Sequence, residues 1–305
     1  VQAAIVSDAV RALAERVPPR VRLGTSSWSF PGWEGLVYDR PATSAALAKQ
    51  GLAAYARHPL FRTVGVDRGY YAPIPRDALE GYARAVPPDF RFLVKALGDL
   101  TSPCLRPEAA RGRPGVENPR FLSVDTALTQ VIEPLSALGD RLGPLLFQFP
   151  PLDLGALGGP RAFAERLHGF LRGLPRGLLY AVELRNEHAL CGDYAAALAD
   201  VGAVHCVNVH PSMPSCGEQV ARLEETWVQA PAVVVRWMLH GTLRYGEAKE
   251  RYAPFDRLVD PDPVTRGGLA ELLSADARPT WVVINNKAEG SSPLSAFELA
   301  RALVG

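Results

Sequence analysis

The stretch LLYAVELRNEHALCGDYAAALADVGAVHCVNV, residues 178–209, decides the fold. It opens with an apolar, β-branched run, Leu178–Leu184, passes through an Ala-rich segment, Tyr194–Ala199, and closes with a second apolar run, Val204–Val209. A strand, a helix and a strand within about 30 residues make a βαβ unit, which implies parallel strands joined by a helical crossover. Outward from it the same alternation recurs. Further strand-like runs are Val21–Leu23, Arg62–Val66, Phe90–Val94, Pro144–Phe149, Ala232–Met238 and Trp281–Ile284, and helical spacing marks Ser44–Ala56, Asp77–Ala85, Phe121–Leu138 and Ala162–Leu171. Eight strands alternating with helices predict a single α/β domain, a (β/α)8 TIM-like barrel over residues 21–305, preceded by an N-terminal helical extension over residues 1–20. A doubly wound open sheet is the other arrangement such a pattern permits. Two connections, Gly98–Asn118 after the third strand and Leu239–Pro279 after the seventh, read as long loops rich in Pro, Arg and Gly.

The composition suits this fold. The chain has 305 residues, 48% hydrophobic and 21% charged, with a net charge of +1. That balance argues against a general basic field for nucleic acid or anionic lipid. No apolar run reaches the 18 or so residues of a membrane span, and the first residues repeat at helical spacing with charges between them, unlike a signal peptide. A cytoplasmic protein with reduced thiols is expected: the four cysteines, Cys104, Cys191, Cys206 and Cys216, form no CxxC pair and no disulfide pattern. Nothing in the sequence signals an oligomeric state.

In a barrel the chemistry sits at the C-terminal ends of the strands. Each run here ends in polar residues: Ser26 and Trp28, Asp67 and Tyr71, Lys95, Gln148, Glu183 and Arg185, Asn208 and His210, Arg236, then Asn285, Asn286 and Glu289. Strands buried on both faces should be apolar, so these groups imply a polar basin. Glu183 and Arg185 lie two apart and share one strand face. Glu183 is the first candidate for general acid or base, with an ion pair to Arg185 as its structural reading. Lys95 is read as proton shuttle, anion ligand or amine nucleophile, or as a counter-charge to Glu183. Ser292 before Pro293 predicts a helix N-terminus beside the mouth, where Lys287, Gly290, Ser291 and Arg236 could converge on a phosphate. Trp28 would wall the ligand, or with Trp33 plug the barrel. Cys206, Asn208 and His210 share a face and raise a metal reading, but their spacing matches no standard pattern, and no cofactor is expected. No P-loop, dinucleotide fingerprint, HExxH or GxSxG motif is present.

The segments Leu23-Gly24-Thr25-Ser26-Ser27-Trp28-Ser29-Phe30-Pro31-Gly32-Trp33, Leu146-Phe147-Gln148-Phe149-Pro150-Pro151, Val182-Glu183-Leu184-Arg185 and Asn285-Asn286-Lys287-Ala288-Glu289-Gly290 resemble the YecE-like family, domain of unknown function 72. The resemblance implies a TIM-like barrel and brings no established activity. Where that family usually reads Glu-Val-Asn-Ser-Thr-Phe-Tyr, this chain has Gly65-Val66-Asp67-Arg68-Gly69-Tyr70-Tyr71, and Asn186 and Lys287 replace usual histidines, which marks a divergent member.

The expected function is binding of, or action on, a small anionic, phosphorylated or polyhydroxylated molecule at the mouth, with Gln148, Asn285 and Asn286 orienting hydroxyls. Two alternatives stand beside it: a metal-assisted phosphoester hydrolase acting on nucleic acid, with carboxylates and His210 as ligands, and a non-catalytic ligand- or protein-binding module.

Overall fold

A computed structural model describes residues 1–105, 109–110, 112–113 and 115–305. Eight parallel strands close a barrel in sequence order: β1 (Val21–Thr25), β2 (Phe61–Val66), β3 (Arg91–Lys95), β4 (Leu142–Gln148), β5 (Tyr180–Glu183), β6 (Val204–Val209), β7 (Val233–Trp237) and β8 (Thr280–Ile284). β8 pairs with β1 from Thr280 opposite Val21 to Ile284 opposite Thr25, which closes the ring without an open edge. The open-sheet alternative is thereby set aside.

The helices are α1 (Asp8–Arg16), α2 (Ser44–Gln50), α3 (Leu52–Tyr55), α4 (Arg76–Ala85), α5 (Val124–Ala127), α6 (Glu133–Leu135), α7 (Pro160–Arg172), α8 (Gly192–Val201), α9 (Cys216–Gln229), α10 (Tyr245–Tyr252), α11 (Pro263–Ser274) and α12 (Ser292–Val304). The expected helix over 44–56 is split at Gly51, and the one over 121–138 is interrupted by a π turn at Leu128–Ile132 and a 3-10 segment from Ser136. The connection after β7 is not a bare loop. It holds α10 and α11, and the Asp262 carboxylate caps α11 by accepting from the Thr265 N–H at 2.9 Å. The loop after β3 includes Arg106–Glu108, Arg111 and Pro114, which lie outside the described residues. α1 is tied to the end of α12, where the Arg16 guanidinium donates to the Val304 carbonyl.

Strand alternation sorts the core into two sets. Val21, Phe92, Phe147, Val182, Val207, Val235 and Ile284 belong to the layer between strands and helices. Leu93, Leu146, Ala181, Cys206, Val234 and Val283 form a separate cluster that fills the lumen. Tight strand approach needs Gly24, because a Cβ there would lie 2.0 Å from the Thr63 carbonyl oxygen.

Candidate functional site

Two residues beyond each lumen position, the same inward face carries Lys95, Gln148, Glu183, Asn208, Arg236 and Asn285, and Asp67 takes the corresponding place after β2. The apolar lumen is thus roofed by a polar ring at the C-terminal mouth. Gln148 and Glu183 are direct neighbours across β4 and β5, as are Asn208 and Arg236 across β6 and β7.

Glu183 is fully buried and ion-paired with both Arg185 and Arg236. Burial by itself pushes its carboxyl up, but the two guanidiniums and the Arg236 hydrogen bond outweigh that and hold it below the usual carboxylate range. A general acid at neutral pH needs the opposite shift. Arg236 also donates to the Gln148 amide oxygen at 3.0 Å and stands 3.5 Å from Asp67, while Arg185 donates to the Asn208 amide oxygen at 2.6 Å. Asn208 is held in turn by Gln219 of α9, whose amide donates to the Asn208 carbonyl at 2.7 Å.

Lys95 differs from the arginines. Its ammonium lies 3.9 Å from the centre of the Tyr70 ring, and among the described residues no carboxylate pairs with it. Burial first, then the nearby Arg236 and Arg185 charges, lower its pKa to about 8 against the pull of Asp67 and Glu183. Lys287 is also pushed down to about 8, mainly by burial. It donates to the Asn285 amide oxygen at 3.0 Å and rests 4.3 Å over the Tyr245 ring. Tyr71 and Tyr245 stand exposed at the rim.

Several expected residues lie elsewhere. Trp28 is buried and packs edge-on against Tyr82 of α4, with ring centres 5.2 Å apart, so it braces a helix and does not wall the mouth. Trp33 is wholly buried and donates to Asn286 at 3.3 Å. The expected convergence at the start of α12 does not form. Ser291, not Ser292, holds the cap position, and the Asn286 amide oxygen accepts from the Ser292 N–H at 2.9 Å and the Ser292 hydroxyl at 2.7 Å. A buried helix N–H is costly to leave unpaired, so the chain fills that place itself, and Arg236 turns to Glu183. The Ser291 hydroxyl is buried. Glu289 is buried behind the mouth, paired with Arg266 and accepting from the Asp262 N–H at 2.7 Å.

The trio Cys206, Asn208 and His210 does not act as a set. Cys206 packs in the lumen with its thiol pushed well up by burial, and Asn208 serves Arg185. The His210 Nδ1 accepts from the Ser212 N–H at 3.2 Å. Burial lowers the His210 pKa to about 4, with the Arg185 charge adding to it, so the ring is neutral at pH 7. Among the described residues no three His, Cys, Asp or Glu side chains gather as metal ligands would. Sequence reading passed over Tyr245 and Gln219; Gln219 sits one helical turn into α9 with no strand period to flag it.

A closed parallel barrel of eight strands with helices around it, and a charged ring at its C-terminal mouth, defines a TIM-barrel protein. The family model described as "Protein of unknown function DUF72" matches residues 22–305, and the chain belongs to that family. Solved structures agree on the fold. A DUF72 protein from Enterococcus faecalis V583 superposes with a TM-score of 0.60 at 18% identity, covering 93% of this chain and 95% of that one. Another from Thermotoga maritima MSB8 gives 0.59 at 22% identity, covering 93% and 98%. No curated protein matches the chain. No helix among the described residues is long and apolar enough to cross a membrane.

Proposed function

We propose that the polar ring binds a small anionic molecule, phosphorylated or polyhydroxylated, at the barrel mouth. The observation that carries this reading is the charge imbalance of the ring. Arg185, Arg236 and Lys95 face two carboxylates, Glu183 and Asp67, and the carboxylates pair with the arginines, which among the described residues leaves Lys95 without one. A buried ammonium without a counter-ion is costly, and an arriving anion removes that cost. Gln148 spends its carbonyl on Arg236 and so presents its amide N–H groups as donors to the ligand. Glu183 in this reading is the counter-charge that allows two guanidiniums to be buried, and Lys95 is the group left to act.

Calorimetric titration with inorganic phosphate, a sugar phosphate and the parent neutral sugar tests this. A charge-assisted hydrogen bond of about 1.5–3 kcal/mol predicts that Lys95→Gln weakens phosphate and sugar-phosphate binding about 10- to 150-fold. Affinity should also fall as pH rises through about 8, where Lys95 loses its proton. Equal affinity for the neutral sugar, or no saturable binding, overturns the reading.

A further inference from the structure

The same ring holds a feature that anion binding alone does not use: an inward-facing amine set over an aromatic ring, with no carboxylate paired to it among the described residues. The chain has four lysines, Lys49, Lys95, Lys249 and Lys287, and Lys95 is the one on the inward face of a barrel strand. Burial favours a neutral nitrogen there, while of the charges around it Asp67 and Glu183 pull toward the ammonium and Arg236 and Arg185 press against it. The Tyr70 ring face attracts an ammonium but accepts no strong hydrogen bond, and both guanidiniums beside it are permanently charged and repel another cation. Lys287, in contrast, is tied to the Asn285 amide oxygen and covered by Tyr245.

Resting on the anion reading above, we propose that the Lys95 amine condenses with the carbonyl group of a small anionic aldehyde or ketone to form an imine. The nitrogen lone pair attacks the carbonyl carbon, a C–N bond forms, and the C=O electrons pass to oxygen, which takes up a proton. The carbinolamine then loses the oxygen as water while nitrogen gives up its protons, so nothing is oxidised or reduced. Asp67, the carboxylate that acts most strongly on Lys95, stands at the half-open side of the ring to carry protons between nitrogen and oxygen. Arg185 and Arg236 belong to the same ring as Lys95, so their positive field draws the ligand's negative group and leaves its carbonyl to the amine.

Borohydride trapping followed by peptide mass mapping reads this directly. The protein is incubated near pH 7 with glyoxylate or dihydroxyacetone phosphate as anionic carbonyls, or with propanal as a neutral one, and reduced. At pH 7 an amine with a pKa of about 8 is about one-tenth neutral, while an exposed lysine near 10.4 is about 0.04% neutral. Even after the lower nucleophilicity of a weaker base, reduced adduct on Lys95 is expected at least about tenfold above Lys49 or Lys249. The anionic carbonyls should label it more than propanal does. Lys95→Arg, which has no condensable amine, should lose the adduct. Saturable anion binding with no adduct on Lys95, or adduct confined to Lys287 or spread equally over the four lysines, overturns the imine and leaves the anion reading standing. Equal labelling of Lys95 by propanal and by the anionic carbonyls overturns the anionic half of the proposal and the reading beneath it.

Discussion

Replacing Glu183 with Gln is the most informative single change. The amide keeps the size and one acceptor oxygen of the carboxylate but removes the charge that Arg185 and Arg236 share. Both guanidiniums are buried, and after the change Asp67, at 3.5 Å from Arg236, is the carboxylate left beside them. Removing one partner of a buried ion pair costs about 3–5 kcal/mol, because the remaining charge stays desolvated. Unfolding entropy of about 2.1 cal/mol/K per residue gives about 0.6 kcal/mol/K for 305 residues, so the melting temperature should fall by about 5–8 °C. Scanning calorimetry at pH 7 measures it. The loss should also depend on pH. Because the folded carboxyl lies below its unfolded value near 4.3, its contribution is complete above that value and vanishes as pH falls through the folded one. Glu183→Gln should converge with the parent protein in acid. A shift within about 1 °C at pH 7, or a gain in stability, would refute the counter-charge role; a gain is what is expected when a residue is kept for chemistry at the expense of stability.

Acid should weaken the fold through its buried histidines. His58 and His205 have pKa values lowered to about 4, chiefly by burial. They are neutral in the fold and take up protons near 6.5 when unfolded, so their contribution is complete above about 6.5 and is lost down to about 4. A melting series from pH 7.5 to 4 should show that decline, and His205→Gln should lessen it. Gly24→Ala would drive a methyl to 2.0 Å from the Thr63 carbonyl oxygen, and an unfolding free energy lowered by about 3 kcal/mol in denaturant titration is expected, with no change sinking the close-approach argument. Asn286→Ala uncaps α12 and should cost about 1–2 kcal/mol in urea unfolding, while Asn286→Asp should recover most of it.

The barrel was legible because its signal is repeated. Each strand carries a short β-branched run ending in a polar residue, and eight such runs give the strand count even where single boundaries move by a residue or two. The ring was legible for the same reason, since Glu183 and Arg185 two apart must share a face, and Arg236 and Lys95 close their own runs. Partnership was not legible. Whether Arg236 meets Glu183 or the start of α12 depends on the stagger between β5 and β7, which are separated by β6 and about 50 residues of chain. Trp28 misled because a tryptophan just past a strand end turns either into the mouth or onto a helix, and only the place of Tyr82 on α4 decides which. The helices α10 and α11 were hidden by their Gly, Pro and Arg content, which resembles loop composition, and by caps such as Asp262 that read equally well as turn residues.

The divergence at β2 changes where a carboxylate stands beside Lys95. Gly65 stands where the resembling family usually has Glu, and it pairs with Leu93, a lumen residue one layer beneath Lys95. Side chains at paired positions in a parallel sheet project to the same side, so a carboxylate at 65 would rise from the lumen wall next to the strand that bears Lys95. Glycine removes that negative charge, and a Cβ there would already be 3.1 Å from the Ser26 backbone. Asp67, two residues on, stands where that pattern has Asn, so a carboxylate is regained one layer higher, and its ion pair is with Arg236. The exchange keeps one carboxylate across these two positions but lifts it from the layer of Leu93 to the ring, 3.5 Å from Arg236. The start of α12 takes no part in this exchange, because Asn286 already occupies the helix terminus from within.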